Sequence, residues 1–136
     1  MVSDRLTDGV RIAQLLASEV SGDGGRLRDL ALADADPDVE PTADGALAYR
    51  IGLDAGDGRD PTPVADVYVQ PDRVRIEFRA AVENAADAAA DADLRVRPKA
   101  VRPPRTLVFV ADGAQVKRVL PVFSAVVDAE RKTSAE

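Results

Sequence analysis

Arg95, Arg97, Lys99, Arg102 and Arg105 fall within eleven residues that contain no acid, in a chain whose formal net charge is −6. Arg73, Arg75 and Arg79 recur on alternate positions of an earlier segment. A guanidinium group presents a planar fork of donors that suits carboxylate and phosphate oxygens. If the two segments form neighbouring strands, these eight side chains gather into one positive patch. Such a patch can bind a phosphate backbone or an acidic protein segment. The competing reading pairs the same cations with the chain's own acids, in surface loops or in the stripe Glu83, Asp87 and Asp91. Self-pairing is preferred, because high salt weakens counterion-release binding and the basic segment holds no aromatic ring for stacking.

Other chemistries find little support. The chain has no Cys and no His, which removes disulfides, thiolate sites, cysteine nucleophiles and the commonest general base. Asp34-x-Asp36-x-Asp38 resembles the start of a calcium loop. The positions that need Gly and Glu hold Val39 and Gly45, so the match fails. Gly22-x-Gly24 follows a helical pattern rather than a strand, which suits a helix stop better than a phosphate loop. None of Ser3, Ser18, Ser21 and Ser124 sits in a nucleophile-elbow motif. With 24 acids, close carboxylate pairs carry no information. No catalytic residue, metal ligand or cofactor is expected, and an enzyme is not the favoured reading.

Composition sets the solvent environment. Asp outnumbers Glu 18 to 6, and Arg outnumbers Lys 15 to 3. Short carboxylates hold hydrated cations at the surface, and few lysines mean few exposed apolar stems. In molar salt the Debye length shrinks to about 3 Å, so acid–acid repulsion costs little. The bias fits a salt-adapted protein better than a GC-rich genome alone, given a pI near 4.7. No apolar run approaches the ~18 residues of a membrane span. The first residues lack a basic region followed by an apolar stretch, so a cytoplasmic location is expected.

The positioning elements follow from periodicity. Leu6, Val10, Ala13, Leu16, Ala17 and Val20 predict a helix over 4–21, capped by Ser3. A short strand near Leu30 and Leu32 is optional. Leu47, Tyr49, Ile51 and Leu53 alternate as in a half-buried strand. Strands over 64–70 and 73–80 follow, joined by a turn at Pro71-Asp72. Val74, Ile76 and Phe78 point one way, and Arg73, Arg75, Glu77 and Arg79 the other. An Ala-rich helix is expected over 81–93 and strands over 94–100 and 106–111. The second of these, Leu107-Val108-Phe109-Val110, is apolar on both faces. A helix over 113–131 runs through Pro121, preferred over a hairpin at Asp112-Gly113. Its apolar arc is broad enough that Val119, Val122 and Val126 are candidates for an oligomer interface.

The expected fold is α+β, one domain over 1–131, with a frayed tail over 132–136. An antiparallel sheet of about five strands is flanked by three helices, in the order helix, three strands, helix, two strands, helix.

Several stretches resemble a family of small uncharacterised proteins of halophilic archaea. They are Arg5-Leu6-Thr7-Asp8-Gly9, Ile12-Ala13-Gln14-Leu15-Leu16-Ala17, Pro41-Thr42-Ala43-Asp44-Gly45, Arg95-Val96-Arg97-Pro98-Lys99 and the run Arg102 to Val110. The resemblance brings no activity with it. The order of elements is similar to that of small acidic dimeric chaperones of secretion systems, an analogy that leaves function open. The expected role is a non-enzymatic protein-interaction or chaperone-like module. A protein partner or a second copy would bind at the sheet face or last helix. The alternative is a nucleic-acid-associated protein using the arginine-rich face; no membrane partner is expected.

Overall fold

Helical spacing and a capping carboxylate begin the fold. Helix α1 (Gly9–Gly22) buries Ile12, Ala13, Leu16 and Val20 along one stripe. Asp8 caps it, its carboxylate accepting from the Arg11 N–H at 3.1 Å. The expected cap Ser3 and start Asp4 lie outside the described residues, which are 7–54, 56 and 58–135 of the computed structural model. Thr7 and Asp8 are not helical, so the helix begins later than expected, at Gly9. The helix does end at the glycine-rich stretch, but without the left-handed glycine expected there. Asp23 closes it in an extended conformation, φ −79°, its carboxylate accepting from the Gly25 N–H at 2.6 Å.

Strand β1 (Leu30–Ala33) is the short strand that the sequence left optional, so the sheet has six strands rather than five. It is followed by β2 (Ala46–Leu53), β3 (Thr62–Gln70) and β4 (Arg73–Phe78). Helix α2 (Val82–Asp91) leads to β5 (Arg95–Lys99), β6 (Arg105–Val110) and helix α3 (Gly113–Ala135). The strands lie in the order β1-β2-β3-β4-β6-β5, each antiparallel to its neighbours. This is an α+β fold. The two-residue turn Pro71-Asp72 sets Gln70 opposite Arg73, and the register then runs unbroken to Ala65 opposite Phe78.

One face of the sheet carries the core. Val67, Val69, Val74, Ile76, Phe78, Val108 and Val110 have no solvent exposure. Helix α1 packs on β3 and β4, α2 on β5 and β6, and α3 on β6 and on both other helices. The Phe78 and Phe123 rings meet at 4.9 Å between centroids. Gly9 lies where α1 meets the β3–β4 turn and donates its N–H to the Pro71 carbonyl at 3.1 Å. A Cβ there would collide with the Gln70 and Arg73 carbonyl oxygens.

Three expectations need correction. Val119, Val122 and Val126 are fully buried, so they are core rather than a surface for a second copy. The apolar arc of α3 is wide because the helix packs on α1, α2 and the sheet at once. Leu47 does not share the face of Tyr49 and Ile51. An irregularity between them pairs Leu47 with Tyr68 but Tyr49 with Val67, reversing the side on which Leu47 lies. Finally, α3 continues past Arg131 to Ala135, where a frayed tail was expected. Arg131 Nη2 holds the Asp29 carboxylate at 2.6 Å, and the Thr133 hydroxyl donates to the Ala129 carbonyl at 3.1 Å. The helix does run through Pro121, whose ring lies on the exposed side, where the lost hydrogen bond faces water.

Candidate functional site

No helix among the described residues covers the second face of the sheet. Strand alternation sends Asp66, Tyr68 and Gln70 of β3 to this face, with Arg73, Arg75 and Glu77 of β4. Leu107 and Phe109 of β6 and Arg95, Arg97 and Lys99 of β5 join them through the cross-strand register. Arg50 of β2 stands opposite Asp66. Seven of the eight cations singled out in the sequence therefore meet here. Arg79 lies one residue beyond β4 but still reaches Asp66, at 3.7 Å. Arg102 is the exception: it sits exposed in the loop between β5 and β6.

Two carboxylates are buried under this cationic cover. Asp66 and Glu77 are neighbours across β3 and β4, each 1% exposed. Arg105 Nη1 bridges them, donating at 3.2 Å to Asp66 and 3.0 Å to Glu77. Arg50 also meets Asp66, at 3.5 Å, and its other side reaches Asp34 at the rim, at 3.3 Å. Glu77 further accepts from Arg75 Nε at 2.9 Å and from Lys99 Nζ at 3.3 Å. Burial works to raise the Glu77 pKa, but hydrogen bonds from Arg75, Lys99 and Arg105 outweigh it and hold the carboxyl below its ordinary value. Burial likewise works to lower the Arg105 pKa. Its bonds to Glu77 and Tyr68 and the nearby charges of Asp66 and Glu77 raise it on balance.

The two aromatic rings of the face, Phe109 and Tyr68, lie against guanidinium groups. Arg73 lies 4.5 Å and Arg95 5.5 Å from the centroid of the Phe109 ring. Arg75 lies 4.7 Å from that of Tyr68. This accounts for the outward-facing Phe109 of β6, since cations stack well on aromatic rings. Gly45, at a φ of 94°, leaves room for Arg75, whose Nη1 donates to the Asp44 carbonyl at 2.8 Å. Arg73 Nε donates to Gln70 Oε1 at 2.7 Å, and Gln70 Nε2 donates to the Ala43 carbonyl at 2.7 Å.

The acidic stripe of α2 takes no part. Glu83, Asp87 and Asp91 are exposed, and none forms an ion pair among the described residues. Self-pairing of the arginines is real but has different partners, Asp66 and Glu77, and it is incomplete. Arg73, Arg95, Arg97 and Arg102 meet no carboxylate among the described residues. Among the described residues, the ion pairs of Arg50, Arg73, Arg75, Arg79, Arg95, Arg97, Lys99 and Arg105 reach only Asp66, Glu77 and the rim's Asp34, eight cations against three carboxylates. The rest of the chain then holds ten cations against twenty-one carboxylates.

Elsewhere the molecule offers less. A cleft of about 490 Å³ between the α1–β1 loop and α3 is lined by Asp23, Arg26, Lys117, Ser124 and Asp128, among others. Two of its cations are already engaged, Lys117 with Glu19 at 2.6 Å and Arg26 with Asp128 at 3.4 Å. Among the described residues no three acids cluster in a way that could hold a metal ion. No helix among them is long and apolar enough to cross a membrane.

Asp66, Arg50, Tyr68 and Phe109 were not singled out from the sequence as parts of a site. No curated protein and no solved structure matches the chain. A family model does match, over residues 1–136, and its description is a family of unknown function, DUF7993. A match over the full length shows membership: the chain belongs to the family of unknown function DUF7993.

Proposed function

We propose that this protein is a non-enzymatic binding module that docks an acidic segment of a partner protein on its arginine-covered sheet face. The observation that carries this reading is the set Arg73, Arg95 and Arg97. These cations stand on an open face with no carboxylate of their own among the described residues. Asp66 and Glu77 pair with the cations around this set, and Gln70 holds Arg73, which lowers the cost of ordering the surface for a ligand.

A protein partner is favoured over nucleic acid by the rings. Phe109 is 9% exposed with two guanidinium groups against its ring, and Arg75 lies over Tyr68, so little ring surface is left for a base to stack on. The composition supports a salt-rich cytoplasm as the setting, in keeping with the resemblance to proteins of halophilic archaea. In such a medium long-range attraction is screened within about 3 Å, and binding must rest on direct, forked hydrogen bonds. A chaperone-like role is one form that such docking could take. Dimerisation through Val119, Val122 and Val126 is not part of the proposal, since those side chains are core.

The test is fluorescence anisotropy of the full chain with labelled oligoglutamate and labelled oligothymidylate, from about 0.1 M to about 2 M KCl. The reading expects oligoglutamate to remain bound at the upper end while oligothymidylate is released. Tighter binding of oligothymidylate throughout would replace it with the nucleic-acid reading, and no binding of either would overturn both.

A further inference from the structure

Strands β4 and β5 flank β6, and each extends an arginine over the same β6 side chain. Phe109 is only 9% exposed, with both guanidinium groups against its ring. The guanidinium carbons of Arg73 and Arg95 are therefore no farther apart than their two distances to the ring centroid together. Two like charges at such range repel one another, and a planar cation stacked on a ring has given up part of its hydration. Every other close group of cations on this face has a carboxylate among it, Asp66 or Glu77. This pair has none.

Arg73 is also held in place. Its Nε is spent on Gln70, which is itself tied to the Ala43 carbonyl, and its terminal nitrogens donate to no atom of the described residues. We infer that Arg73, Phe109 and Arg95 form a carboxylate clamp, in which one acidic side chain of the partner is bound by the two guanidinium forks that share the Phe109 ring. The inference rests on the preceding reading, that this face takes an acidic protein segment, and names the point at which the segment is anchored. Phe109 is the ring against which both guanidinium groups lie, so the site depends on planar stacking and not on charge alone. Lysine cannot replace arginine here, because an ammonium group neither stacks as a plane nor donates in parallel.

That dependence supplies the test. Arg95 and Arg97 are both exposed on β5, on the same face, two residues apart, but Arg97 is not stacked on a ring. Arg95→Lys and Arg97→Lys each keep the net charge and leave the core untouched. Oligoglutamate binding to the full chain is measured by anisotropy at one fixed KCl concentration, after circular dichroism shows native melting for both variants. The clamp predicts a loss of about tenfold for Arg95→Lys and under about twofold for Arg97→Lys. Equal losses, or none in either, would overturn the clamp while leaving diffuse docking on the face intact. No binding by the unsubstituted chain would overturn the docking reading as well. Arg73→Lys should match Arg95→Lys, and a Kd left unchanged by it would also overturn the clamp.

Discussion

Glu77 is the most heavily bonded carboxylate on the open face, and replacing it with glutamine isolates the value of its charge. Glu77→Gln keeps the shape but removes the negative charge facing Arg75, Lys99 and Arg105, at 2.9, 3.3 and 3.0 Å. A hydrogen bond to a charged group contributes roughly 1 kcal/mol more than a neutral one, and three are weakened together. The glutamine amide must also turn its NH₂ toward at least one cation. Against this, the variant no longer buries a charge, which returns part of the loss. The net expectation is a loss of about 2–3 kcal/mol at neutral pH, or roughly 6–15 °C in Tm for a domain of this size. The Glu77 pKa in the folded chain lies below its ordinary value of 4.5. Its contribution is thus complete above the ordinary carboxylate range and is lost as pH falls through the folded value. Chemical denaturation of both proteins across pH should show a gap that is full at about pH 7 and closes in acid. Equal stability at neutral pH, or a gap that persists at about pH 2, would refute this account of the network.

Other outcomes follow from the same geometry. Gly9→Ala should cost about 2 kcal/mol or more, because its Cβ meets backbone oxygens that cannot rotate away, and thermal melting reads this directly. Tyr49→Phe removes the buried bond from the hydroxyl to the Ala13 carbonyl at 2.7 Å, for a loss of about 1 kcal/mol in urea titration. Raising KCl from about 0.1 M to about 2 M should raise Tm, since most of the surface outside the open face is acidic and its repulsion becomes screened. A Tm indifferent to salt would contradict that reading of the charge distribution.

The sheet's central strands were legible because their alternation is strict. Val74, Ile76 and Phe78 point to the core and Arg73, Arg75 and Glu77 away from it, as the period of two demands. The pairing of Asp66 with Glu77 was also within reach of the sequence. A two-residue turn at Pro71-Asp72 fixes the register, and counting outward from it sets the two acids opposite one another. What hid it was the number of acids in the chain, which made any one pair look accidental. The bridge by Arg105 was not legible, since it depends on β6 inserting between β4 and β5. Nor was the reversal at Leu47, because a bulge leaves no mark in the alternation of Leu47, Tyr49 and Ile51. Val119, Val122 and Val126 misled for a different reason. A helix packed against two others and a sheet is apolar over a wide arc, and periodicity alone cannot separate that from an interface.

The central claim is that the open face binds carboxylates through the cations its own buried acids leave unpaired. Side-chain NMR of the arginine Nε–H groups, in isotope-labelled full chain titrated with oligoglutamate, tests it most directly. The account predicts that Arg73, Arg95 and Arg97 shift while Arg105, already committed to Asp66 and Glu77, stays in place. Movement of Arg105 without the other three, or shifts confined to the cleft between the α1–β1 loop and α3, would contradict it.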